Sequence, residues 1–144
     1  MTSSAISSFA TYLKLGDGGT PEAFTTIAEV MDISGPELSA DTEEVTSHSS
    51  TDGWKEKIIT LLDGGDVTFE LNFIPTGATH SYAAGLLKDL ANRTRRNFQH
   101  VFPNVGATTW SFSAYVTKFP VRAPVNGVLR VPVTLTLTGK PTLV

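Results

Sequence analysis

The stretch Asp66-Val-Thr-Phe-Glu-Leu-Asn-Phe73 decides the fold class of this chain. Every second residue in it is apolar, from Val67 to Phe73, and the residues between them are polar. Because successive side chains of a β-strand point to opposite faces, this alternation is typical of a strand with one face on a core. The sequence therefore predicts a strand here, with Glu70 on its polar face.

Similar patterns predict most of the other elements as strands. They are found at Phe9–Leu15, Thr25–Ser34, Asn97–Phe102, Thr109–Phe119 and Val128–Thr138. Turn residues rich in Gly, Asp and Pro separate these runs. Pro132 has no N–H to donate to a ladder, so it indicates a sheet edge or a bulge within the last strand.

Residues 80–94 form the one segment with helical periodicity. Apolar residues recur there at the spacing of one helix face, at Ala83, Leu86, Leu87, Leu90 and Ala91. About seven strands and one helix, without an internal repeat or linker, predict a single domain over residues 1–144. We expect an antiparallel β-sandwich or barrel with the helix packed on its side.

The composition excludes several function classes. The 144 residues include no Cys, so disulfides, thiolate–zinc sites and cysteine catalysis are ruled out. No apolar run approaches the roughly 20 residues that span a bilayer, and the N-terminus lacks the pattern of a secretory signal. We therefore expect a soluble protein made in a cytoplasm.

Residues that could support catalysis do not converge in the sequence. His48, His80 and His100 are far apart and show no metal-ligand spacing. There is no Gly-x-Ser-x-Gly motif for a nucleophile and no glycine-rich phosphate loop. The sequence predicts no enzyme, no metal site and no cofactor.

Charge is distributed unevenly along the chain. Residues 1–70 hold 13 acids and 3 bases, a net charge of −10, whereas residues 71–144 hold one acid and 8 bases, a net charge of +7. Such asymmetry indicates a charged partner or tail, and strand-like patterns in both halves argue against a tail. Either the halves neutralise each other within one monomer, or the acidic surface of one copy meets the basic surface of the next.

Residues 39–66 differ from the rest of the chain. They are rich in Ser, Thr, Asp, Glu and Gly and show little periodicity, with one possible strand around Asp41–His48 and a short apolar stretch at Ile58–Leu62. A loop of this length in a compact domain is usually functional or disordered. Asp41, Glu43 and Glu44 lie in a polar setting, so we interpret them as solvated charges rather than as a catalytic acid pair. Trp54 is either a contact residue or folded back on the core.

Three arginines follow the predicted helix, namely Arg93, Arg95 and Arg96. The C-terminus of a helix carries partial negative charge, so it favours cations and repels phosphate. We interpret these arginines as caps of the helix dipole or as protein contacts, in preference to nucleic-acid ligands.

The order and spacing of several motifs resemble those of major tail tube proteins from bacteriophages with long, non-contractile tails. The similar motifs lie between about residues 25 and 143. They are Ile33–His48, Gly53–Glu56, Gly65–Phe73, Arg96–Pro103, Trp110–Phe119, Ala123–Val128 and Thr136–Pro141.

This resemblance implies a structural virion protein whose hexameric rings stack into the hollow tail tube used as the conduit for DNA ejection. The family shares its fold with the tube proteins of contractile tails and type VI secretion. The implied fold is therefore mainly β, with two packed antiparallel sheets, one flanking α-helix and a long inter-subunit loop, for which residues 39–66 are the candidate.

The resemblance also implies partners and a location. The partners are further copies of the chain and the tape measure, tail terminator and tail tip proteins. Double-stranded DNA passes through without specific binding, and no membrane is involved. The location is the virion tail, after assembly in the host cytoplasm. The alternatives are another tail or neck protein such as a tail terminator, or a carbohydrate- or host-binding β-sandwich module.

Strand geometry is compatible with such a tube. If six copies each contribute four strands, the shared barrel is about 48 Å across at a strand spacing of about 4.8 Å and a tilt of about 40°. Side chains then leave a channel of roughly 35–40 Å, which is wider than a DNA duplex of about 20 Å. A shared barrel also removes the exposed edges of an isolated sheet.

We expect three groups of residues to act in assembly. The loop is expected to be mobile in the monomer and to order on stacking, with contacts from Asp41, Glu43, Glu44, Trp54, Ile58, Ile59, Leu61 and Leu62. Negative charge in the lumen would repel phosphates, and the candidate acids are Glu70, Asp41, Glu43 and Glu44. The candidate basic contacts between subunits are Arg93, Arg95 and Arg96.

Overall fold

A computed structural model describes residues 2–144 as a mainly β protein. Within these residues it has nine strands, one α-helix and one 3₁₀ turn at Thr51–Gly53. The elements are β1 (Tyr12–Gly16), β2 (Phe24–Thr26), β3 (Val30–Ser34), β4 (Ser39–Glu44), β5 (Lys57–Asp63), β6 (Asp66–Asn72), α1 (Leu86–Ala91), β7 (Arg96–Val101), β8 (Thr109–Lys118) and β9 (Arg130–Leu143).

The strands form two antiparallel sheets. Seven of them make one large sheet in the order β2-β1-β7-β8-β9-β6-β3, and β4 pairs with β5 in a separate two-stranded sheet. The mainly β class, with two antiparallel sheets and one helix, is confirmed.

The large sheet curls until its two edges approach each other. β2 and β3 are its opposite edges, yet only residues 27–29 separate them in the chain. Such a link spans at most about 14 Å. The N–H of Ile27 donates to the Leu13 carbonyl at 2.9 Å, and the N–H of Asn72 donates to the Glu29 carbonyl at 3.0 Å, so the link joins β1 to β6. The sheet is therefore a partial barrel that encloses the core.

The core occupies the inner face of this curled sheet. In β6, Val67, Phe69 and Leu71 are buried and the residues between them face outward, which confirms the alternation that predicts this strand. Near the centre of the sheet, the rings of Phe98 and Phe112 stack with centroids 5.7 Å apart.

The structure divides the predicted strand at Thr25–Ser34 into β2 and β3. Glu29, between them, has a left-handed backbone with φ of 61°, a conformation that does not continue a strand. The chain turns there and crosses from one edge of the sheet to the other.

The helix is shorter than the sequence predicts. Periodicity indicates residues 80–94, whereas α1 covers Leu86–Ala91. Gly85 before it is extended, and Arg93 after it has a left-handed φ of 56°. Within residues 2–144, no helix is long and apolar enough to cross a bilayer.

A buried histidine explains why the helix starts late. The Nδ1 atom of His80 accepts the N–H of Ile74 at 3.1 Å, so Nε2 carries the proton and donates to the Ala28 carbonyl at 2.7 Å. The Thr79 hydroxyl also accepts the N–H of Ala28 at 3.2 Å. These tertiary contacts hold the residues before Gly85 in turns instead of a helix.

Pro132 lies beside an interruption of the sheet. It pairs with Glu70 of β6 on one side. On the other side, the register between β9 and β8 shifts near Thr134. Towards the start of β9, the next pairing on that side is the isolated bridge between Arg122 and Arg130. The proline is accommodated next to a bulge, as the sequence predicts.

Candidate functional site

The segment 39–66 is occupied mainly by a β-hairpin. Strands β4 and β5 pair from Ser39 opposite Asp63 to Glu44 opposite Lys57. Beyond the strands, the tip of the hairpin is ordered by its own hydrogen bonds. For example, the Ser50 hydroxyl donates to the Glu56 carboxylate at 2.5 Å. The region that the sequence describes as a loop thus has a regular backbone within one chain, and its mobility in the monomer stays a prediction.

The possible strand around Asp41–His48 overlaps β4, whereas a bulge leaves no strand pattern in its partner β5. Between the pairs Ala40–Leu62 and Thr42–Ile59, β5 advances one residue more than β4. The extra residue moves apolar side chains of the run Ile58–Leu62 onto both faces. A strand with no buried face shows no alternation to detect.

Two glycines set the direction in which the hairpin leaves the large sheet. Gly35 has φ of 106° and Gly65 has φ of 69°, both in the left-handed region. A Cβ at Gly35 would meet the carbonyl of Asp66, and one at Gly65 would meet the carbonyl of Glu37. Glycine alone tolerates both the backbone angle and the close approach, so backbone packing holds the base of the hairpin.

Apolar side chains of the hairpin are uncovered on both faces. Ile59 and Leu62 pair with residues of one β4 face and are 67% and 78% exposed. Ile58 pairs with a residue of the opposite face and is 51% exposed. Leu61 and Trp54 are 72% and 76% exposed. Trp54 is therefore not folded back on the core, and no other segment of residues 2–144 covers these apolar side chains.

The four candidate lumen acids occupy two places in the molecule. Asp41, Glu43 and Glu44 are exposed on β4, where Glu44 lies on the face opposite to the other two. Glu70 is half-buried on the outer face of β6, opposite Pro132. The structure brings the hairpin acids together and leaves Glu70 on the large sheet.

Hydroxyl groups dominate the outer face of the large sheet. The hydroxyls of Thr117 and Thr136 are 3.1 Å apart, and the Ser113 hydroxyl donates to the Asn97 side-chain oxygen at 2.6 Å. Glu70 lies on this same face. The basic residues of β8 and β9 lie towards strand ends, at Lys118, Arg130 and Lys140.

The three arginines near the helix play different parts. Arg96 donates from Nε to the Asp89 carboxylate at 3.0 Å and from Nη1 to the Gly16 carbonyl at 2.8 Å. Asp89 is buried, and this burial raises the pKa of its carboxyl, which Arg96 partly offsets. Arg96 therefore ties α1 to β1 within the chain. Arg93 and Arg95 are exposed.

Ion pairing within the chain is sparse. Among residues 2–144, the pair Arg96–Asp89 is the one salt bridge. The sequence holds 14 acids and 11 Lys or Arg residues. Within the described residues, the acidic and basic halves therefore do not neutralise each other through ion pairs.

A surface groove of about 910 Å³ lies beside β1. It is lined by the N-terminal segment from Ile6, by residues 26–33 and by the end of β7. His100 is buried in its wall, its Nδ1 atom has no hydrogen-bond partner, and burial lowers its pKa. Within residues 2–144, no group of three or more His or acidic side chains could hold a metal ion. The groove thus presents one buried imidazole without a cluster of ligands around it.

A second exposed surface is missed by the sequence predictions. The basic loop, residues 118–130 between β8 and β9, holds three bases and no acid. Its exposed bases are Lys118, Arg122 and Arg130. Beside them it exposes Val121, Val125 and Val128. The signal in the sequence is the lack of any acid in a segment that combines Val with Arg and Lys.

Solved structures with the same fold come from tail-like particles. The chain is similar to a chain in the tail of an empty gene transfer agent (GTA) particle refined with C6 symmetry, with a TM-score of 0.75 and 20% identity over 97% of this chain and 99% of that one. The chain is also similar to a chain in the structure of the sheath/tube terminator of the PVC extracellular contractile injection system in its extended state, with a TM-score of 0.72 and 16% identity over 99% of both chains. A chain in the structure of the anti-feeding prophage (AFP) baseplate matches with a TM-score of 0.67 and 13% identity, over 100% of this chain and 97% of that one. At these identities the likeness defines the fold, which is that of proteins in phage-like tails and injection systems.

The family follows from the sequence itself. No curated protein matches the chain, but a family model described as lambda phage tail tube protein matches residues 11–144. The chain belongs to this family, which confirms the resemblance seen in its motifs. It is a tail tube structural protein, and its family is one of structural tail tube proteins.

Proposed function

We propose that this chain forms hexameric rings that stack into a hollow tail tube, and that the tube conducts double-stranded DNA during ejection. Family membership supports the tube, and the sixfold symmetry stated for the GTA tail supports the number of subunits.

The observation that carries this proposal is the uncovered hairpin. Burying a fully exposed Leu or Ile side chain contributes roughly 1.5–3 kcal/mol, and the two faces of this hairpin carry four such residues that are 51% to 78% exposed, at Ile58, Ile59, Leu61 and Leu62. Exposed apolar residues concentrated in one element are typical of a protein–protein contact. The hairpin therefore supplies the apolar area that offsets the entropic cost of association.

The open edges of the large sheet support ring formation. β2 and β3 each pair on one side only, so their outer N–H and C=O groups face away from the sheet. Unpaired strand edges are templates for strands of another chain. We propose that neighbours in a ring approach these edges, so that the partial barrels join into one continuous wall.

We further propose that the hydroxyl-rich outer face of the large sheet lines the lumen. Glu70 lies on this face among Thr and Ser residues, and the cations of β8 and β9 are found towards the strand ends, while Lys14 lies in the middle of β1. Neutral and acidic groups let DNA slide because they offer no ion pairs to the backbone. The hairpin acids Asp41, Glu43 and Glu44 add negative charge where they reach the lumen.

The remaining partners follow from the tube. We propose that its ends meet tail terminator and tail tip proteins, that a tape measure protein fills it before DNA does, and that DNA is not bound specifically. Assembly takes place in the host cytoplasm, and the finished location is the virion tail.

The exposed Arg93 and Arg95 are proposed as contacts between subunits, whereas Arg96 forms its salt bridge within its own chain.

Negative-stain microscopy combined with light scattering tests the central proposal. The purified chain is expected to give rings and hollow tubes as its concentration rises. The double variant Ile59→Ser with Leu62→Ser is expected to stay monomeric. Ile58 and Leu61 are unchanged in this variant, so a loss of assembly is due to the other two side chains. A wild-type protein that stays monomeric at every concentration, with no rings or tubes, contradicts the proposal.

The lumen lining has its own test. A density map of the tube is expected to show Glu70 facing the channel. Glu70→Lys is expected to form tubes that retain DNA on sedimentation at low ionic strength, whereas Glu70→Gln tubes release it. A channel lined by Arg93 and Arg95 contradicts this part of the proposal.

A tail terminator is the second candidate function, because the same fold occurs in an assembly described as a sheath/tube terminator. The microscopy separates the two candidates, since a terminator forms single rings that do not extend into tubes.

A further inference from the structure

We propose that the acidic hairpin of one copy docks on the basic loop of the next copy. The acidic hairpin is residues 39–63, and the basic loop is residues 118–130. This inference rests on the proposed function in that both partners are copies of one chain, and it names the acceptor surface for the hairpin.

The two surfaces have opposite charge. The acidic hairpin holds six acids and two bases, a net charge of −4, whereas the basic loop holds three bases and no acid. All residues of both segments are exposed except Ser50, Phe119 and Leu129, which are half-buried. None of their charges takes part in the one salt bridge of residues 2–144. Each surface therefore offers charge that has no ion-pair partner in the part of the chain from residue 2 to 144.

The two surfaces lie at opposite ends of β6. The hairpin ends just before Asp66, where β6 begins. At the other end, the N–H of Phe73 donates to the Leu129 carbonyl at 2.9 Å, which places the basic loop there. A strand of this length separates them by roughly 20 Å. One chain thus donates a hairpin at one end and accepts another at the opposite end.

This arrangement produces stacking instead of a closed dimer. A contact between two different surfaces of the same chain is heterologous, and it repeats from copy to copy unless the rotation closes a ring. Because the donor and acceptor lie at opposite ends of one strand, each added copy extends the assembly along that direction.

The apolar and charged parts of the two surfaces also match. Ile59 and Leu62 expose apolar area on one face of the hairpin, with Glu44 on the same side. Val121 and Val128 are each 50% exposed beside the arginines of the basic loop. An apolar centre with charged residues around it is the usual composition of a protein interface, and Arg pairs well with carboxylates because its guanidinium forms two parallel hydrogen bonds.

The groove beside β1 is a poorer acceptor for the hairpin. Its lining includes the carboxylates Glu29 and Asp32, both on exposed residues. An acidic hairpin placed there meets charge of the same sign, and like charges across an interface are strongly unfavourable. Charge therefore favours the basic loop over the larger recess.

Disulfide trapping tests the contact directly, because the chain has no Cys of its own. Leu62→Cys and Val128→Cys variants are mixed in equal amounts and oxidised. We expect a crosslinked pair of the two variants, formed at least about tenfold faster than with the control mixture of Leu62→Cys and Ala83→Cys. Equal rates for the two mixtures overturn the inference.

Charge reversal adds a matched control. Arg122→Glu with Arg130→Glu in the Val128→Cys chain is expected to slow trapping about tenfold or more at low ionic strength. The same reversal at the exposed residues Lys88 and Lys140 is expected to leave the rate unchanged. If the reversal in the basic loop slows trapping no more than the reversal at Lys88 and Lys140, the inference is overturned.

A compensating reversal completes the test. Glu43→Lys with Glu44→Lys in the Leu62→Cys chain also slows trapping with the wild-type loop. Mixed with the chain whose loop carries Arg122→Glu and Arg130→Glu, it is expected to recover the fast rate, because the charges are again opposite. No recovery overturns the inference.

These outcomes separate the inference from the proposed function. If the two Cys variants crosslink and the compensating reversal restores the rate, but no tubes form, the docking contact is supported and the tube is contradicted. If tubes form but the two Cys variants do not crosslink, the tube is supported and the docking contact is overturned. Loss of both contradicts both.

Discussion

The large sheet and the hairpin are both antiparallel β-structure, but they use their apolar residues in opposite ways. β6 and β9 bury alternate residues completely, such as Val67 and Val133 at 0% exposure, whereas Leu62 of β5 is 78% exposed. Burial in the large sheet stabilises the monomer. Exposure in the hairpin adds little to the stability of the monomer and leaves apolar area that, under the proposed function, another chain covers. On that proposal, stability and assembly depend on separate regions of this protein.

The largest expected difference between the two regions is in the free energy of unfolding, and it is expected for a substitution in the core. Phe69→Ala is expected to lower the free energy of unfolding of the monomer by about 3–5 kcal/mol, because it removes a buried ring and leaves a cavity. Leu62→Ala in the hairpin is expected to change it by less than about 0.5 kcal/mol. Urea unfolding at low protein concentration measures both. Similar losses for the two variants contradict the separation of roles.

The second effect concerns the salt bridge that ties α1 to the sheet. Arg96→Gln leaves the buried Asp89 without its counter-ion, and we expect a loss of about 2–4 kcal/mol at neutral pH, reduced from a fully buried pair because the guanidinium is partly exposed. Adding Asp89→Asn is expected to recover most of this loss. No recovery in the double variant shows that lost packing, and not the buried charge, causes the effect.

The pH dependence of this variant has a definite sign. Burial raises the pKa of Asp89 above its ordinary value of 3.8, so the folded state holds a proton that the unfolded state has released. Asp89 therefore contributes less to the free energy of unfolding as the pH rises through the range between its pKa in the unfolded state and its pKa in the folded state. In Arg96→Gln the loss is expected to be small at acidic pH, where Asp89 is neutral, and to grow towards neutral pH. Denaturant titrations at several pH values measure it.

A third, smaller effect is expected where the two regions join. Gly65→Ala places a Cβ against the carbonyl of Glu37 in a left-handed backbone conformation, and we expect a loss of about 1–3 kcal/mol. Gly18→Ala is the control, since its φ of 76° is similar but a Cβ there meets nothing within 4 Å. Thermal unfolding compares them. An equal loss in both variants shows that backbone strain alone, without the close approach, is responsible.

The smallest effect on the monomer is expected at the hairpin surface. Ile59→Ser with Leu62→Ser is expected to change the free energy of unfolding of the monomer by no more than about 0.5 kcal/mol, because both side chains are already exposed. The same variant is expected to abolish self-assembly measured by light scattering. Normal assembly of this variant contradicts the role of the hairpin.

The large sheet is mostly predictable because the strands between its two edges each have one face in the core. The alternation of β6, β8 and β9 is visible in the sequence since burial on one side imposes a period of two. Local signals fail where tertiary contacts override them. His80 holds its segment in turns through the carbonyl of Ala28, so the apolar stripe of residues 80–94 yields a helix of only six residues.

Of the two surfaces proposed for assembly, the hairpin is predictable as residues but not as geometry, and the basic loop is not predicted. Ile58–Leu62 and the acids of β4 are identified from their unusual composition, yet the bulge that places them on both faces of a hairpin has no sequence signal. Arg96 looks like its neighbours Arg93 and Arg95 in the sequence. It differs because Asp89, seven residues earlier, faces it across the junction of α1 and β7.

The amino-acid sequence alone determined the β class, the uneven charge and the family, because alternation, composition and motif order are local properties of the chain. The tertiary structure decided which charges are paired, which apolar residues stay uncovered, and that the acidic hairpin and the basic loop lie at opposite ends of one strand. These depend on how distant segments meet across a curled sheet, and contacts between distant segments leave no period in the sequence.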